Sequence, residues 1–75
     1  MKTTIDLHYL THEEAQKDLL KFIDDLVFLG ANFDVDIITG NSPDMKQLAI
    51  SVLEEYKLDY IEGDMYNSGY LRLNL

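Results

Sequence analysis

The chain has no cysteine, and its 75 residues include a single arginine, Arg72, and a single proline, Pro43. Without thiols it can build neither a disulfide framework nor a thiolate zinc site. No apolar run approaches the roughly 18–20 residues of a membrane span. Asp6 and His8 interrupt the apolar stretch after Lys2, so no signal peptide is expected and the expected location is cytoplasmic. Basic residues are scarce as well. Six lysines and arginines stand against 14 aspartates and glutamates, for a formal charge of -8 at pH 7. Nucleic-acid affinity rests largely on basic side chains displacing counterions, so this balance weighs against tight binding of a phosphate backbone and leaves room for a protein partner.

Apolar residues make up 47% of the chain and charged residues 27%, which excludes disorder on composition. At this length one domain spanning residues 1–75 is expected. It is close to the lower limit for a self-sufficient core, burying about 60% of its unfolded surface.

Ile5 and Leu7 alternate with Asp6 and His8, the period-2 pattern of a strand covered on one face. Thr11 then reads as a helix N-cap, with Glu14 three residues later completing a capping box. Ala15, Leu19, Phe22, Ile23 and Leu26 form one apolar stripe along the following helix, and Gly30 is a natural stop. Val35 to Thr39 reads as a second strand. Gly40-Asn41-Ser42-Pro43 forms a turn in which Ser42 caps a second helix and Pro43 takes its first position. Met45, Leu48, Ala49, Val52, Leu53 and Tyr56 line one side of that helix. A third strand is expected around Asp59 to Asp64, then a turn at Asn67-Ser68-Gly69. A final strand over Tyr70 to Leu75 has Leu71, Leu73 and Leu75 inward.

The order β-α-β-α-β-β predicts an α/β two-layer sandwich, a mixed four-stranded sheet with both helices on one face. Asp6, His8, Tyr70, Arg72 and Asn74 are the alternates expected on the open face.

The opening Asp6-Leu7-His8, Leu10-Thr11 and Glu13-Glu14-Ala15 resembles the D-L-H-G-L-T-x-x-E-A motif of the Smr (small MutS-related) domain family. The similarity continues through Ile37-Ile38 before a glycine turn, through Leu48 and Val52-Leu53, and through Gly69 before the last strand. It implies a fold similar to the C-terminal domain of a bacterial translation initiation factor. It also implies a phosphodiester endonuclease or nucleic-acid-binding activity, with Asp6 and His8 catalytic. On the same grounds Thr39, Gly40, Asn41, Ser42 and Arg72 would contact nucleic acid, and Mg2+ would offset the acidic surface. Two positions depart from the family pattern. Tyr9 stands where the family has glycine, and Thr39-Gly40-Asn41-Ser42 replaces H-G-x-G.

A glycine-rich turn opening a helix holds phosphate through free N–H groups and the helix dipole. Here Pro43 removes one donor, Asp44 competes for the positive end, and Ser42 is positioned to accept the remaining bonds. For Asp6 and His8 two readings stand side by side. Either they form an acid–base pair, or Asp6 accepts bonds from turn amides while His8 packs on Tyr9 or Arg72. His8 and His12 are four apart, but Thr11 caps between them, so no metal site is expected there. Asp24-Asp25, Asp34-Asp36 and the Asp64 region read as solvated acidic surface. Tyr9, Tyr66 and Tyr70 suit either base stacking or a protein interface, whereas Tyr56 and Phe33 read as core or core edge. The second functional reading is therefore a non-catalytic acidic module that binds a basic protein partner or imitates nucleic acid.

Overall fold

Six elements follow the expected order in the computed structural model, which describes residues 2–30, 32–63 and 69–75. They are β1 (Lys2–Asp6), α1 (His12–Leu29), β2 (Asp34–Ile38), α2 (Pro43–Glu55), β3 (Ile61–Glu62) and β4 (Tyr70–Asn74). The sheet order is β1-β2-β4-β3. β1 runs parallel to β2, and β4 runs antiparallel to both β2 and β3. Thus α1 joins two parallel neighbours, while α2 carries the chain past the place that β4 later fills.

Local chemistry sets the helix ends. The Thr11 hydroxyl accepts from the Glu14 N–H at 3.2 Å, and the Glu14 carboxylate accepts from the Thr11 N–H at 3.0 Å. This reciprocal box satisfies two donors that α1 cannot satisfy internally. Gly30 ends α1 at φ 69. At the start of α2 the Ser42 hydroxyl accepts from the Met45 N–H at 3.2 Å, with Pro43 beside it. The end of α2 is less conventional. Lys57, at φ 57, donates to the Glu54 carbonyl, and Leu58 donates to the Leu53 carbonyl. These are the two bonds of a Schellman motif, with lysine in the position glycine usually takes.

Val35, Ile37, Leu71 and Leu73 alternate into a single buried cluster with Ala15, Leu19 and Ile23 of α1 and Ala49, Val52 and Leu53 of α2. Their neighbours Asp34, Asp36, Arg72 and Asn74 project from the other side, as a two-layer arrangement requires. Each fully buried leucine or isoleucine contributes roughly 1.5–3 kcal/mol, so this one cluster carries the stability of the domain. Phe22, Leu48 and Tyr56 pack at its margin, and Ile50 joins it unanticipated.

Two elements are shorter than their patterns suggest. The first strand ends at Asp6, leaving His8 in the turn that follows. The third is reduced to Ile61 and Glu62, paired with Arg72 and Leu71. Gly63, at φ 32, donates to the Tyr70 carbonyl at 2.8 Å, one further bond in the same register. The readings placed on Asp64, Tyr66, Asn67 and Ser68 lie outside the described residues.

Candidate functional site

The parallel pair β1 and β2 is extended by one bond from the Leu7 N–H to the Ile38 carbonyl, 2.8 Å. The chain then turns, and the Leu10 N–H donates to the Leu7 carbonyl at 3.0 Å. Leu7 is fully buried and Leu10 packs against the core, so the turn is anchored at both ends. His8 and Tyr9, between them, are exposed.

Asp6 and His8 form a closed pair. The His8 backbone N–H donates to Asp6 Oδ1 at 3.1 Å, and the imidazole Nδ1 is hydrogen-bonded to the same oxygen. An ionised carboxylate can only accept, so Nδ1 carries the proton and Nε2 is the atom left to take or give one. Desolvation pushes the Asp6 carboxyl up, but the ring and backbone hydrogen bonds of His8, with its charge, outweigh it. The net effect is a pKa below the ordinary 3.8. The imidazole also lies against the Tyr9 ring, so Asp6 accepts the turn amide while His8 packs on Tyr9.

Beside His8, the end of β2 turns through Gly40, whose φ of +67 favours glycine. The Thr39 and Gly40 N–H groups both donate to the Gly69 carbonyl at 2.9 Å, tying this turn to the start of β4. The Thr39 hydroxyl is 1% exposed and donates to the Gly40 and Gly69 carbonyls. It braces the turn from beneath.

These strand ends border an open depression of about 470 Å³ on the sheet face away from the helices. His8, Gly40, Asn41 and Arg72 share its lining with Lys2 and Asp36. Asp6 reaches it through His8. Thr39 is buried below the turn, and the Ser42 oxygen is engaged in capping α2. Four of the seven residues singled out in the sequence thus come together directly, and the others support them from behind.

The electrostatics of the floor were not anticipated. Asp36 is not plain solvated surface, since its side chain is only 16% exposed. It accepts from Arg72 Nε at 2.8 Å and Nη2 at 3.3 Å, and Lys2 Nζ lies 3.8 Å away. The Arg72 hydrogen bonds hold the Asp36 carboxyl below its ordinary value against the opposing effect of burial, with the Arg72 and Lys2 charges assisting. The Arg72 guanidinium also sits 5.2 Å from the centre of the Tyr70 ring, within cation–π range. The one available signal for Asp36 was its place in β2, alternating onto the same face as Arg72. Asp34, next along that face, accepts from the Asn74 side-chain amide at 2.7 Å.

No group of three or more histidine, aspartate or glutamate side chains able to hold a metal ion occurs among the described residues. His12 is the first residue of α1, beyond the Thr11 cap. Asp6 is already bonded to His8 and Asp36 to Arg72 and Lys2, so these two carboxylates do not make a dedicated cation cage.

No family model, curated protein or solved structure matches this chain. Among the described residues, no helix is long and apolar enough to cross a membrane.

Proposed function

We propose that the chain is a diverged Smr-like domain that acts on a phosphodiester, with Asp6 and His8 as its acid–base centre. The observation that carries this reading is the bonded Asp6–His8 pair, set against the left-handed Gly40 turn at the ends of two parallel strands. Asp6 fixes the imidazole tautomer. His8 Nε2 then takes the proton of a water as its oxygen bonds to phosphorus, and the leaving oxygen is protonated from solvent. With the Ser42 cap and Pro43 limiting the donors at α2, stabilisation of the developing charge is weak and turnover slow. Labelled RNA and DNA incubated with wild type and His8→Ala, with and without magnesium, test the proposal. Cleavage by wild type alone is expected, and equal background in both proteins defeats the enzyme reading.

A second reading is favoured by one specific observation. Asp36 engages both Arg72 and Lys2, the cations of the depression. On a surface of net charge -8, this suits a non-catalytic module for a basic protein partner. Robust, steeply salt-sensitive binding to RNA would count against it.

A further inference from the structure

Tyr9 follows His8 directly in the turn between β1 and α1 and is 83% exposed. A single exposed aromatic needs no explanation by itself; its setting does. The ring is not on a free loop, because Leu7 and Leu10 anchor the turn on either side. The His8 imidazole lies against it, with ring centroids 3.7 Å apart and planes tilted by 41°. The same short turn therefore presents the His8 ring and an exposed aromatic surface side by side.

We propose that Tyr9 is a nucleobase subsite, a stacking platform for one unpaired base adjoining the phosphate handled by Asp6 and His8. The inference rests on the phosphodiester reading and narrows its substrate to single-stranded or locally unpaired nucleic acid. Stacking needs an accessible base face, which a duplex keeps inside its own stack. Every base has such a face, so the subsite selects for unpaired structure rather than for sequence. Tyr70, the aromatic residue within the depression, already has the Arg72 guanidinium over its ring.

Charge leads to the same subsite. With Asp36 on Arg72 and Lys2, and -8 overall, the surface gives little general attraction to a phosphate backbone. Affinity for a nucleotide must then come mainly from a contact that salt does not screen. Stacking is such a contact, and a backbone already held at Leu7 and Leu10 loses little freedom when the ring it carries forms one.

The test is fluorescence anisotropy with a labelled single-stranded RNA of about eight nucleotides and a duplex of the same length. Wild type, Tyr9→Phe, Tyr9→Ala and His8→Ala are compared at about 50 and about 200 mM salt. Circular dichroism checks that each variant is folded. Single-strand affinity is expected to fall roughly tenfold or more in Tyr9→Ala and to persist in Tyr9→Phe. The duplex should bind more weakly than the strand, and the salt slope should be shallower than about -1. Equal affinity of Tyr9→Ala and wild type for the strand overturns the subsite, as does equal binding of strand and duplex. If wild type binds neither form, the nucleic-acid reading falls and the subsite with it. Tyr9-dependent strand binding with cleavage unchanged in His8→Ala supports the subsite and removes only the acid–base role.

Discussion

Gly40 stands directly against His8. A Cβ at Gly40 would lie 3.2 Å from the Cβ of His8, and the backbone there has φ +67. Any side chain at this position would strain the turn and crowd the imidazole together. Gly40→Ala is expected to cost about 1–2 kcal/mol, read as a lower urea midpoint, and to move the His8 ring resonances. An unchanged midpoint with unmoved resonances would show that the contact does not constrain His8.

The hydrogen bond from Nδ1 to Asp6 makes two variants informative. His8→Ala removes the proton carrier and should lower cleavage by about 10²–10⁴-fold. Asp6→Asn preserves the shape, but its amide can donate to Nδ1 and so favour the wrong tautomer. A loss of the same order is expected in single-turnover assays. Wild-type rates for Asp6→Asn would exclude tautomer control.

Acid stability follows from Asp36. Its folded pKa lies below the ordinary 3.8, so its contribution is present above that value and is lost as pH falls through the folded value. The depressed Asp6 carboxyl acts in the same direction. Asp36→Asn should cost about 1 kcal/mol at neutral pH and flatten the acid limb of the stability curve. Denaturant titrations at a series of pH values measure both effects, and an acid limb as steep as wild type's would contradict the assignment. The same variant removes one negative charge from beside Arg72 and Lys2, so it should raise RNA affinity and steepen its salt dependence.

The helix ends offer two opposite stability changes. Thr11→Ala removes the acceptor for the Glu14 N–H and should cost about 1 kcal/mol. Lys57→Gly relieves the left-handed backbone at φ 57 and should gain about 0.5–1 kcal/mol. Thermal unfolding of the two variants should shift in opposite directions.

Much of the framework was legible residue by residue. Thr11 with Glu14, Gly30, and Ser42 with Pro43 mark helix ends through groups within a few positions of one another. Leu71 and Leu73 declared their face by alternation. The third strand is shorter than the Asp59 to Asp64 reading: Asp59 and Tyr60 lie outside the ladder, and the strand paired with β4 is Ile61 and Glu62. Alternation continues through His8, whereas the Leu10–Leu7 hydrogen bond turns the chain there. Lys57 gave no signal as a helix stop, since the motif usually announces itself with glycine.

The sequence by itself determined the local elements of this protein, their order and their buried faces. Caps and periodicity are short-range interactions and are legible as such, whereas the turn at His8 that closes Asp6 onto the imidazole is not. Only the tertiary structure decided that β4 enters between β2 and β3 and brings Arg72 to Asp36 across 36 positions. The same packing set Gly40 against His8 and buried the Thr39 hydroxyl. Strand register depends on the joint packing of both helices against the sheet, and no local pattern encodes which residues of two distant strands will stand opposite each other.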